Sequence, residues 1–236
     1  MVVASGAKQS RMLHRLMHHY ALLAPASGAS VGVLYWLVGA TYGASRSNHL
    51  IFGLSIATGY VALALLVATL AIGPINLLRR RRNPISTDLR RDLGIWCAVL
   101  SLAHFMFGWN VHMQNRLDYF FREAGAAPTF VPRTDLFGFA NYTGLIAILI
   151  VIVLLLISND YALRRFGARR WKSLQRWNYA LALLVILHAV AYEIIEKRQL
   201  KFVAFFAVMI LSASILQALG FQRMQQKNLR RPLSAS

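Results

Sequence analysis

Cysteine is almost absent from this chain of 236 residues. Cys97 is the only one, so no disulfide framework exists and no Cys/His metal spacing is present. Acidic residues are nearly as scarce, 8 against 26 lysines and arginines, and all charged types together reach only 14%, where a soluble domain carries about 25%. No Gly-rich dinucleotide fingerprint and no P-loop occurs. The N-terminus lacks the pattern of a cleavable signal: Met1 to Tyr20 is polar and basic, and the apolar run after it is too long. The first span is therefore expected to be an uncleaved anchor.

What the chain has is apolar length. Its residues are 57% hydrophobic with a mean hydropathy of +0.49. Six runs, roughly Ala21–Tyr42, Leu50–Leu70, Leu93–Val111, Leu136–Ile157, Tyr179–Ile195 and Phe202–Leu219, approach the length of about 20 residues needed to cross a bilayer. Backbone in lipid must satisfy its own hydrogen bonds, so the runs are expected to be helices. The predicted fold is all-α, a polytopic six-transmembrane-helix bundle. It divides into a basic interfacial segment at 1–20, a membrane domain at 21–219 and a basic cytoplasmic tail at 220–236.

The net charge of +18 suggests nucleic acid until the basic residues are placed. They fall in alternate gaps between the spans. Nineteen collect with the two termini, including Arg79–Arg82, Arg90, Arg91, Arg164, Arg165, Arg169 and Arg170, and seven lie on the other side. That asymmetry puts both termini in the cytoplasm, and an even number of spans requires them to share a side. A face this basic suits anionic inner-leaflet lipid. Nucleic acid would need a folded basic module, which the chain lacks.

Two histidines interrupt the apolar runs: His104 in the third span and His188 in the fifth. An ionisable residue at such depth costs free energy and is by default a functional candidate. His104 lies 13 residues beyond Arg91 and His188 12 beyond Arg176 on spans running in the same direction. At 1.5 Å per residue both sit roughly 18–20 Å beyond their cytoplasmic arginines. Gly94, Cys97, Ser101, His104 and Gly108 share one face of the third span, leaving room beside the histidine. Leu181, Leu184, His188 and Tyr192 form the matching stripe on the fifth. On these residues alone two readings stand. Each histidine hydrogen-bonds a neighbouring helix, or the pair clamps a flat metal complex such as haem, whose needs are axial histidines and an apolar pocket.

The blocks around these histidines resemble the ferric-reductase-like transmembrane domain family. The carriers are Arg90-Arg91-Asp92-Leu93-Gly94-Ile95-Trp96 leading to His104, and Ser158-Asn159-Asp160 through Arg164, Arg165, Gly167, Trp171 and Arg176 to Tyr179, followed by His188. Among its members they are most similar to the haem-binding membrane subunits of bacterial periplasmic methionine-sulfoxide reductase systems. The resemblance covers about residues 50 to 220. It implies a six-helix protein of the bacterial cytoplasmic (inner) membrane that ligates b-type haem iron through His104 and His188. It also implies electron relay across the membrane to an acceptor on the outer face, with a quinol, a flavin or a separate redox partner protein as donor. Two-haem relatives use a second histidine pair nearer the cytoplasm. Here those positions hold Arg91 and Gln175, so one haem is expected.

Other features admit plainer roles. His49 and His112, at the outer ends of the second and third spans, are either an external metal or acceptor site or ordinary interfacial residues. His14, His18 and His19 suit an amphipathic interfacial helix better than a metal site. Ala24, Gly28, Gly32, Gly39 and Gly43 form a small-residue packing stripe. Leu117–Arg122 is an aromatic cluster suited to the interface, with a docking surface or a quinol pocket as the alternative. A transporter or assembly factor, or a haem sensor or carrier without turnover, is the alternative function. A transporter would be expected to show broken helices or internal repeats, and the sequence shows neither clearly.

Overall fold

The computed structural model describes residues 21–42, 49–79, 85–121 and 131–229. The basic N-terminal segment with His14, His18 and His19 lies outside them, as do Gly43 and the side chain of His49. Among the described residues there are helices and no strand. They are α1 (Ala24–Tyr42), α2 (His49–Leu78), α3 (Ile85–Met113), α4 (Leu136–Leu156), α5 (Asp160–Gln175), α6 (Trp177–Ile195) and α7 (Leu200–Leu229). A 3₁₀ turn at Leu117–Phe120 follows α3. Six stretches are long and apolar enough to cross a membrane. The protein is a polytopic membrane bundle, with apolar side chains such as Ile146, Leu149, Val153 and Leu156 exposed along the outside of α4.

Helix ends depart most from the sequence reading. The second span runs on to Leu78, the third begins before Leu93, and the last continues to Leu229, inside the segment read as a tail. Asp92, one residue before the expected start of the third span, is buried within α3. The stretch before the fifth span, read as a loop, is the helix α5. It escaped notice because it carries no apolar run. It bends at Gly167, whose φ of 74° lies in the left-handed region that glycine enters without strain. Gly28 and Gly32, placed on a packing stripe, would meet nothing within 4 Å among the described residues if given a Cβ, so at those two positions the stripe packs against none of the described helices.

The extension of α2 and α7 has a specific cause. Pro74 lies inside α2, and its ring nitrogen has no proton for the carbonyl four residues earlier, Leu70 O. The Gln217 side-chain amide on α7 donates to that carbonyl at 2.9 Å. Close approach of the two helices there depends on Gly220, where a Cβ would lie 2.9 Å from Pro74 Cβ. Removing the donor leaves a carbonyl orphaned in an apolar setting, which costs about 1–3 kcal/mol. Gln217→Leu is therefore expected to lower the thermal unfolding midpoint of the detergent-solubilised protein. An unchanged midpoint would show that the bond contributes nothing.

The connections are capped by side chains as well. Asp135 stands at the N-cap of α4 and accepts from the Gly138 amide at 2.8 Å. Its bond to Arg133 holds its carboxyl below the usual carboxylate range. At the other end of α4, three late carbonyls find side-chain donors: Leu156 O from Asn159 Nδ2 at 2.6 Å, Ile157 O from Trp171 Nε1 at 2.9 Å, and Ser158 O from Arg91 Nε at 2.8 Å. These residues are the ones that carry the family resemblance. Their chemistry here is the closing of a helix end.

Candidate functional site

His104 on α3 and His188 on α6 meet inside the bundle. Their ring centroids are 6.1 Å apart and the ring planes lie at 85°. His104 Nδ1 is 2.8 Å from Ser55 O on α2, and His188 Nδ1 is 2.8 Å from Ala140 O on α4. A carbonyl only accepts, so each Nδ1 carries the proton and donates. Nε2 is left as a bare lone pair, the form in which imidazole binds metals.

Both rings rest on the same kind of seat. The accepting carbonyl belongs in each case to the residue four before a glycine, Gly59 or Gly144. A Cβ on Gly59 would fall 2.9 Å from His104 Nδ1 and Cε1, and one on Gly144 would fall 2.7 Å from His188 Nδ1. Each carbonyl also accepts a threonine hydroxyl: Thr58 Oγ1 at 3.2 Å from Ser55 O, and Thr143 Oγ1 at 2.9 Å from Ala140 O. Thr58-Gly59 and Thr143-Gly144 thus repeat one device, each an almost equal distance in sequence before its histidine. The first of the two sequence readings holds, since each histidine bonds a neighbouring helix. That bonding also leaves the opposite nitrogen in the form a metal requires.

The two rings share one cavity with about 1380 Å³ of empty space, counting the part open to the surroundings. Its wall is mostly apolar. Cys97, Ser101 and Gly108 face it from α3 as the spacing predicts, whereas Gly94 does not. On α6, Leu181 and Tyr192 face it, and Val185 takes the place expected for Leu184. An imidazole–metal bond is about 2.0 Å and the ring centre lies about 1 Å behind its nitrogen, so imidazoles on opposite faces of one metal have centroids about 6 Å apart. The observed separation fits that requirement. Among the described residues no three His, Cys, Asp or Glu side chains form a group able to hold a metal ion by themselves.

The surroundings correct two sequence readings. The residues Leu117 to Phe120 do not form an outward belt, since Tyr119 and Phe120 are buried. Phe120 stacks on Tyr142 with centroids 5.5 Å apart, and the Tyr142 hydroxyl donates to Phe120 O at 2.5 Å. The 3₁₀ turn places Phe120 on the cavity wall. His112 is likewise no plain interfacial residue. It lines the cavity, lies 3.5 Å from Glu196, and packs on Tyr192 with centroids 4.5 Å apart. At the opposite end, Arg91 bonds Ser158 O and Asp160 (2.8 Å each), and Gln175 Nε2 reaches Ser158 Oγ at 3.5 Å.

A family model described as ferric reductase like transmembrane component matches residues 58–186. The chain belongs to the ferric-reductase-like transmembrane family. The matched segment includes the Thr58-Gly59 seat, His104 and the Thr143-Gly144 seat, and stops two residues before His188. Two relatives are the protein-methionine-sulfoxide reductase heme-binding subunits of Yersinia pseudotuberculosis serotype O:1b (strain IP 31758) and Yersinia pestis (strain Pestoides F). Each is 35% identical over 133 residues, which is 56% of this chain and 58% and 57% of the respective relative. The match thus spans a little over half the length of these curated relatives.

Proposed function

We propose that this family member is a membrane cytochrome b holding one haem between His104 and His188. It serves as the electron-transfer subunit of an oxidoreductase in the bacterial inner membrane. The observation that carries this is the facing pair of imidazoles, each pinned through Nδ1 and 6.1 Å from the other. The names of the relatives, heme-binding subunits, support it. When bound, the haem supplies reversible one-electron chemistry at its iron.

The chain's own part is positional. The Ser55 and Ala140 carbonyls fix each histidine's tautomer and raise the basicity of its Nε2. Apolar walls from α2, α3, α4 and α6 keep water from the iron. Arg91 and Gln175 are committed to Ser158 and Asp160, which supports a single haem. The basic side is the cytoplasmic one, in contact with anionic lipid, and the end bearing His112 and Glu196 faces outward. From His188 the contacts run through Tyr192, with centroids 5.0 Å apart, to His112. That continuous series shortens the gap between the site and an acceptor outside. The donor is a quinol or a separate flavin-bearing partner.

Spectroscopy tests the proposal. Protein purified from membranes is expected to show a b-type band in reduced-minus-oxidised spectra and one haem per chain. No band overturns the cytochrome reading, and two haems per chain overturn the single-haem reading.

A further inference from the structure

Iron ligation leaves one charged group on the cavity wall unused. Arg198 stands in the short connection between α6 and α7. Lys197 before it has a φ of 48°, and the Arg198 amide donates to Glu193 O at 3.0 Å. That six-to-one bond ends a helix by folding the chain back over its last turn. The fold-back carries the side chain over the bundle. Its guanidinium carbon lies 5.6 Å from the Phe52 ring centre, and the residue lines the cavity that holds His104 and His188.

Arg198 Nη1 is buried and has no hydrogen-bond partner among the described residues. A guanidinium stays charged at every working pH, so a buried donor of this kind calls for an acceptor. Among the described residues Arg198 is the only lysine or arginine on the cavity wall. Of the carboxylates nearby, Glu193 feels the charge of Arg198 but accepts the Tyr60 hydroxyl at 3.3 Å, and Glu196 lies against His112.

We infer that Arg198 binds a carboxylate of the haem. This inference rests on the cytochrome reading above. Iron protoporphyrin IX carries its two carboxylates on one edge and hydrocarbon around the rest of its rim. A mostly apolar cavity with its one cation at one end favours such a molecule one way round. The carboxylate edge then lies at the Arg198 end, and Nη1 supplies a charge-assisted donor to it.

A comparison of cofactor forms tests this without any turnover. The full chain, produced without haem and solubilised in detergent, is titrated with iron protoporphyrin IX and with its dimethyl ester. Wild type is expected to prefer the acid form by about tenfold or more. Arg198→Gln is expected to bring the two forms within about twofold of each other, chiefly by weakening the acid form, and Arg198→Lys to retain part of the preference. Micelle partitioning cancels because the ratio is compared between variants. Should Arg198→Gln lose its helical circular dichroism, Arg198→Lys carries the test. A full wild-type preference in the folded variants overturns the role of Arg198. Failure of wild type to bind either form with a bis-histidine spectrum overturns the cytochrome reading itself.

Discussion

His188→Ala and His104→Ala are each expected to abolish the six-coordinate low-spin spectrum and to cut haem retained through purification by at least tenfold. Each would remove one of the two protein bonds that the proposal gives the iron, and nothing else on the cavity wall would replace it: Cys97 donates to Ala62 O at 3.3 Å, and His112 is held by Glu196 and Tyr192. The fold should survive. Ala140 O keeps the Thr143 hydroxyl after His188 is gone, and Ser55 O keeps Thr58 after His104 is gone. Taking a polar ring out of an apolar run also relieves a cost. Haem content and helical circular dichroism therefore separate in these variants. Added imidazole is expected to enter the space vacated by the side chain and restore a low-spin spectrum. Unaltered haem content in both variants would leave the histidines as helix-pairing residues and nothing more.

Gly144→Ala and Gly59→Ala are expected to weaken haem binding by about tenfold while leaving the bundle as stable as before or more so. The added methyl would lie 2.7 Å from His188 Nδ1, or 2.9 Å from His104 Nδ1 and Cε1, and the rings must retreat to about 3.5 Å, ordinary contact. Such a retreat draws Nδ1 from 2.8 Å toward the limit at which a hydrogen bond to its carbonyl persists. The iron-binding nitrogen moves with it. Helix propensity acts the other way, since alanine in place of helical glycine stabilises by up to about 1 kcal/mol. Lower haem affinity beside equal or higher melting temperature is thus the signature of a seat. Gly94→Ala provides the control: it lies on the same helix as His104, yet a Cβ there meets nothing within 4 Å. Equal behaviour of all three variants in haem titrations would remove the seats from the site.

The spans and the histidine pair were legible in the sequence because they rest on local, strong signals: apolar length and a costly residue within it. The ends of the spans were not. The extended ends of α7 and α2 are joined by the bond from Gln217 to Leu70 O, 147 positions away, which no window along the chain detects. The helix α5 was missed because its apolar residues, among them Ala162, Phe166 and Leu174, are interleaved with arginines and form no run, and Arg198 was counted only for its charge in the topology. The Thr-Gly seats did leave a trace. The same dipeptide stands 45 residues before His104 and 44 before His188, a repeat too short and too distant to register until contacts show both copies doing the same thing.

That repeat also bears on how the protein is made. Each seat and its histidine belong to helices close in sequence, α2 with α3 and α4 with α6, so each half of the site closes locally. The first half lies wholly before the second along the chain. Pairing of nearby segments is the fast part of folding, which leaves the meeting of the two halves and the docking of α7 on α2 as long-range events. The haem of the proposal would touch both, and would add to the stability of the joined state in proportion to the logarithm of its free concentration. Haem supply would then help set how much of this protein survives proteolytic quality control.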